Sequence, residues 1–196
     1  MKKIAVLASA VILMVGVLCG TAASALTTLD FEGLPTTYYY LYGDQNIGGY
    51  YPGVSFGPDA TILDRVIGGY NDSGYPPHSG NAVFFSDNYG YVDITFANPV
   101  SYVEGWFTFA GTGYLEAYDT GGNKVDSDSM DRNYGSNGKM WVSAPSIGRV
   151  RVRDSGDLFV GDDIAYEAVP EPSSLLALGA GLTGLASLVS GKRRKA

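Results

Sequence analysis

The part of the chain between its two ends predicts an all-β fold, an antiparallel β-sandwich of jelly-roll type. Three observations carry that prediction. Tyr, Phe, Val and Ile stand in short runs parted by Gly-rich turns. No stretch between Leu26 and Ala168 keeps a helical period. Several runs alternate with a period of two: Val92, Ile94 and Phe96 share one face of 91–96, and in 149–153 the arginines face out while Val150 and Val152 face in.

Taken in order, the predicted strands are 29–31, 54–56, 62–67, 82–85, 91–96, 100–109, 114–118, 124–129, 140–143, 149–153, 158–160 and 163–167. Each is an apolar run bounded by turn formers. Asn98-Pro99 parts the fifth strand from the sixth, and Thr120-Gly121-Gly122-Asn123 reads as a hairpin turn. The segments 38–53 and 70–81, rich in Gly, Tyr, Asn and Pro, read as long loops, where function sits on a sandwich. No internal repeat is visible.

The ends are of another kind. Lys2 and Lys3 precede an apolar stretch, and Ala23-Ser24-Ala25 offers a small-x-small cleavage site, so 1–25 reads as a signal peptide cut by signal peptidase. Cys19, the only cysteine, falls inside it, and the Leu before it disfavours lipidation. The mature chain is then expected to hold no disulfide, thiol nucleophile or cysteine metal site. At the other end, 173–191 is free of charge and, as a helix, reaches roughly 28 Å, the thickness of a bilayer core. Lys192, Arg193, Arg194 and Lys195 follow it and would stay cytoplasmic. The expected organisation is a signal peptide (1–25), a sandwich domain (26–168) and a C-terminal signal (169–196).

Counted through Glu171, the domain holds seven basic and twenty acidic residues, a net charge near −13. Such a surface repels nucleic acid and anionic headgroups, so no nucleic-acid partner is expected.

The tail, with Pro170-Glu171-Pro172 in the form Val-Pro-Glu-Pro-Ser-Ser, resembles the PEP-CTERM sorting signal of Gram-negative bacteria. That resemblance implies an exosortase-type membrane protease as partner, a precursor held in the inner membrane by the C-terminal helix, and release or transfer to the cell surface. Proteins with this signal often accompany exopolysaccharide and biofilm functions. The resemblance leaves open whether the C-terminal helix is retained. Ice binding, sometimes attached to such tails, has no regular Thr-x-Thr array to support it.

Leu29-Asp30-Phe31-Glu32 and Gly161-Asp162-Asp163-Ile164 look like the first and last strands of jelly-roll carbohydrate-binding modules. In those modules carboxylates from the two ends of the chain often share a structural calcium. The resemblance therefore implies a structural calcium held by Glu32 with Asp162 or Asp163; the other reading of Asp30, Asp162 and Asp163 is as solvated strand-end residues or turn formers. A second acidic run, Asp126-Ser127-Asp128 with Asp131, lacks the Gly and distal Glu of an EF-hand loop and reads as an exposed strand with outward carboxylates.

Tyr38, Tyr39, Tyr40, Tyr42, Tyr50 and Tyr51 crowd one loop, with Tyr70, Tyr75 and Tyr89 further on. Aromatic faces stack on sugar rings and the hydroxyl adds a hydrogen bond, which suits exopolysaccharide binding. Tyrosines also pack well in loop cores and at half-buried strand positions. Trp106, in mid-strand, is expected in the core; Trp141 fits either setting. His78, the only histidine, stands in a loop and is expected to be exposed. Neither a Gly-x-Ser-x-Gly elbow nor a His-Glu-x-x-His helix is present. The expected function is a non-enzymatic structural or adhesive role in the envelope or extracellular matrix. The alternative is a secreted glycan-active hydrolase working through two carboxylates.

Overall fold

In the computed structural model, which describes residues 25–34, 47–66, 72–86, 90–156, 158–169 and 179, the alternating runs become nine strands. They are β1 (Thr27–Leu29), β2 (Val54–Phe56), β3 (Ala60–Asp64), β4 (Ala82–Ser86), β5 (Tyr91–Phe109), β6 (Gly113–Tyr118), β7 (Lys124–Met130), β8 (Gly138–Asp154) and β9 (Phe159–Ala168). All their pairings are antiparallel, in the order β3-β4-β9-β5-β8-β6-β7, with β1 beside β9 and β2 beside β5. These strands lie within the compact unit Ala25–Val169.

The sandwich comes from two long strands that serve both layers. The first half of β5 pairs with the second half of β8, from Tyr91↔Arg153 to Thr95↔Arg149, and with β2. Its second half pairs with the first half of β8, from Tyr102↔Ser143 to Phe107↔Gly138, and with β9. Register shifts between Thr95 and Tyr102 separate the halves. There the strand bends and the sheet folds over itself. Val92 and Ile94 from one half then meet Val103, Phe107 and Phe109 from the other in a single core, with Met140, Val142, Val150 and Val152 of β8. Phe84 anchors it, its ring within 6.5 Å of Phe31, Phe56, Phe107 and Phe159.

Three predicted breaks are absent. Asn98-Pro99 does not end a strand, because the proline falls where the β5–β8 ladder shifts register and a missing N–H is tolerated. The predicted strands 140–143 and 149–153 are one strand, as are 158–160 and 163–167. The first strand lies two residues earlier than expected, since Phe31 takes a left-handed φ of 60° and leaves the ladder. The hairpin at 119–123 closes as expected, with Gly122 at φ 83° and the Gly122 N–H donating to the Asp119 carbonyl.

A second, smaller apolar cluster sits on Leu63, Val83, Phe85 and Val160, with Tyr75 packed on it. Tyr75 is thus buried rather than presented to solvent. Asp126 and Asp128 also differ from expectation. They turn toward β8, where their carboxylates accept the N–H groups of Ser143 and Trp141 at 2.8 and 3.1 Å. Among the described residues no helix is long and apolar enough to cross a membrane. The predicted sorting motif Pro170, Glu171 and Pro172, the basic tail and Ala23 lie outside the described residues, as does the 173–191 helix apart from Gly179.

Candidate functional site

From Tyr102 to Phe107, β5 alternates between outer and buried positions. Val103, Gly105 and Phe107 are buried, so Tyr102, Glu104 and Trp106 project from the outer face. β8 lies alongside with Glu104 opposite Trp141 and Trp106 opposite Lys139. The pairing places two aromatic rings together on the outer face. Tyr102 and Trp141 are stacked with centroids 6.1 Å apart and planes 24° from parallel, and Trp141 is 53% exposed. Beside them the Tyr102 hydroxyl donates to Glu104 Oε2 at 2.6 Å, and Lys139 Nζ lies 2.8 Å from the same oxygen.

Electrostatics fixes the protonation of this group. Burial raises the Glu104 carboxyl, but the hydrogen bonds from Lys139 and Tyr102 outweigh it and hold the group below its usual range. Burial and the adjacent Glu104 push the Tyr102 hydroxyl up to about 12. At neutral pH the array is a Glu104 carboxylate and a neutral Tyr102 phenol beside Lys139, flanking the Trp141 ring. That set can stack on the apolar face of a sugar ring while offering donors and acceptors to its hydroxyls.

Trp106 faces outward, contrary to the core position expected for it, because it shares the parity of Glu104. His78 covers it, ring on ring at 3.8 Å and 7°. His78 is therefore no free loop residue: its Nδ1 lies 2.7 Å from Asp163 Oδ2. A bulge produces that contact. Glu104 pairs with Ala165 and Trp106 with Asp162, which leaves an extra residue on β9, and Asp163 takes φ 46° there.

Glu32, Asp162 and Asp163 gather around one loop, 78–82. Glu32 Oε1 accepts the N–H groups of Asn81 and Ala82 at 2.7 and 2.8 Å. Asp162 Oδ2 accepts those of His78 and Ser79 at 2.8 and 2.9 Å, and its Oδ1 accepts Asp163 N–H at 2.7 Å. Calcium needs six to eight oxygens with free lone pairs. Here Glu32 Oε1 and both Asp162 oxygens already accept backbone N–H groups, which leaves them fewer lone pairs to offer a cation. Among the described residues no group of three or more His, Cys, Asp or Glu is placed to hold a metal. Asp162 is 1% exposed, and burial pushes its carboxyl up to about 6 against the pull of those N–H donors. Gly80 completes the clasp: at φ 55° it passes so close to Glu32 that a Cβ would strike the carboxylate.

The tyrosine loop divides. Tyr38, Tyr39, Tyr40 and Tyr42 lie outside the described residues, as do Tyr70 and Tyr89. Tyr50 is exposed. Tyr51 packs edge-on against Phe31, and its hydroxyl accepts the Phe31 N–H at 2.8 Å. It supports the strained residue rather than facing a ligand, and burial raises its pKa to about 12. The exposed pair Tyr102–Trp141 was missed in the sequence, although the parity of Tyr102-Val103-Glu104-Gly105-Trp106 marks that face as outward.

A protein-family model described as the PEP-CTERM protein-sorting motif matches residues 168–194. No curated protein matches the chain. Among solved structures the chain is similar to a family 29 carbohydrate-binding module from Piromyces equi, at 11% identity and TM-score 0.44, over 76% of this chain and 93% of that one. It is also similar to a mutant of a second family 29 module, at 8% identity and TM-score 0.45, over 74% and 92%. A third similar structure is TmCBM61 in complex with beta-1,4-galactotriose, at 13% identity and TM-score 0.33, over 68% and 95%.

Proposed function

We propose that this chain is a non-enzymatic exported protein that binds a neutral polysaccharide of the cell envelope or extracellular matrix on its Tyr102–Trp141 face. The observation that carries the reading is the exposed Trp141 ring, nearly parallel to a half-buried Tyr102, beside a Glu104–Lys139 hydrogen-bonding pair, all held by one β5–β8 ladder. Rigid strands present the rings, so little side-chain freedom is lost on binding. The sorting motif at 168–194 supports an exported protein processed at the membrane. Exosortase processing then delivers the sandwich to the surface, where it acts in structure or adhesion.

The test is affinity electrophoresis of the full-length chain in non-ionic detergent, through gels carrying hydroxyethyl cellulose, galactomannan or xylan. Retardation in at least one gel, lost in Trp141→Ala and kept in Tyr50→Ala, is the expected result. Migration unchanged in all three gels, or retardation indifferent to Trp141, overturns the reading.

A further inference from the structure

The outer face of the other layer is built on a different plan. The second half of β8 runs between β5 and β6, and its outward residues are all arginines. Arg153 lies between Tyr91 and Tyr114, Arg151 between Asp93 and Glu116, and Arg149 between Thr95 and Tyr118. Each guanidinium lies over a tyrosine ring: Arg149 over Tyr118 at 4.1 Å, Arg151 over Tyr91 at 4.2 Å and Arg153 over Tyr114 at 3.9 Å. Asp93 accepts from Arg149 Nη1 at 2.7 Å and from Arg151 Nε and Nη2 at 2.8 Å each. Glu116 accepts from Arg153 Nη2 at 3.3 Å and the Tyr118 hydroxyl at 2.9 Å, with Lys124 Nζ 3.6 Å away.

Two features set this face apart from a neutralised ion-pair lattice. The first is charge. Lys124, Arg149, Arg151 and Arg153 are four of the seven basic residues in the domain, and they face two carboxylates, Asp93 and Glu116. The face is thus locally positive on a domain near −13. The second is donor geometry. A guanidinium carries five N–H donors along its edge, and stacking on a ring engages only its face. Arg149 and Arg153 each hydrogen-bond to their carboxylates from a single nitrogen, Nη1 and Nη2.

We infer that this face is a second binding site, for a linear polysaccharide that bears carboxylates. A carboxylate matches the guanidinium fork, as Asp93 on Arg151 already shows within the protein. Alternate residues of a strand lie about 7 Å apart, so the three arginines form a row about 14 Å long, suited to a chain charged at regular intervals. The tyrosine rings and Asp93 hold the guanidiniums in place before any ligand arrives, which lowers the entropic cost of binding. The strongly negative remainder of the domain disfavours a denser polyanion such as DNA, and an anionic membrane likewise. The site shares no residue with the Tyr102–Trp141 face, so the two readings stand or fall separately.

The experiment compares polygalacturonate with its fully methyl-esterified form, the same backbone with its charge masked, against the full-length chain in non-ionic detergent. Polygalacturonate is expected to bind and to weaken as salt is raised, with the ester at least tenfold weaker. The Arg149→Gln/Arg153→Gln variant is expected to lose at least tenfold in affinity, while Trp141→Ala keeps it. If that double variant fails to fold, Arg153→Lys replaces it. It keeps the charge and removes the fork, and a severalfold loss is expected. Equal binding of acid and ester, no binding of the acid, unchanged affinity in the arginine variants, or tighter binding to a DNA duplex or anionic vesicles overturns the inference.

Discussion

The two outer faces of this sandwich share the strands β5 and β8 and differ in what their charges do. On the Arg149–Arg153 face, charge is part of the architecture: Asp93 on β5 ties Arg149 and Arg151 of β8, and Glu116 on β6 ties Arg153 of β8. On the Tyr102–Trp141 face a single Glu104–Lys139 pair borders a half-buried Tyr102 stacked on an exposed Trp141. The contrast shows that one ladder can present a rigid charged grid at one end and an aromatic platform at the other. The bend in β5 between Thr95 and Tyr102 separates them.

Removing the central carboxylate of each face breaks the comparison most sharply. Asp93→Ala leaves two half-buried guanidiniums without their acceptor, and hydrogen bonds to charged groups contribute about 1.5–3 kcal/mol. A loss of that order is expected in chemical denaturation. Glu104→Ala removes an acceptor for Lys139, itself largely exposed, where ion pairs contribute only roughly 0.2–1 kcal/mol. Equal losses would show that the two faces are electrostatically alike.

The arginine grid was legible in the sequence because Arg-Val-Arg-Val-Arg is an unbroken period of two, and a period of two fixes both faces of a strand. The platform was equally written in Tyr102-Val103-Glu104-Gly105-Trp106. It was overlooked because Trp in mid-strand suggested the core, whereas Glu104 on the same face settles the direction. The clasp around 78–82 had no local signal. Its contacts join residues 49 to 85 positions apart, and the bulge that aims Asp163 at His78 uses an aspartate at positive φ instead of the usual glycine. Likewise nothing near Asn98-Pro99 told that the ladder shifts register there and so tolerates the proline.

A smaller effect separates the clasp from both faces. Burial raises the carboxyls of Asp93, Glu104 and Glu116, but bonds from Arg151, Lys139 and Arg153 leave each below its usual value. Folded values below unfolded ones give stability that is present above the ordinary carboxylate range and lost as pH falls through it. Asp162 has the opposite sign. Its folded value, about 6 against an ordinary 3.8, gives stability present below 3.8 and lost as pH rises through 6. Denaturation across pH should therefore show wild type losing ground to Asp162→Asn as pH rises from 3.8 to about 6. A pH-independent difference between the two proteins would remove this account of the clasp.

The smallest expected effect is none at all. A chelator should leave the thermal midpoint of the full-length chain where calcium leaves it. Glu32 Oε1 and Asp162 Oδ2 each accept two backbone N–H groups, and Asp163 Oδ2 meets the imidazole of His78. A cation drawn to those oxygens would have to displace donors that hold residues 78–82 against the sheet, trading several short hydrogen bonds for an incomplete shell. An ion that binds only the folded form raises stability with its concentration. A midpoint that climbs with added calcium and falls with chelator would mean that the loop opens and the carboxylates re-aim. The clasp would then be a part of this sandwich that responds to a ligand.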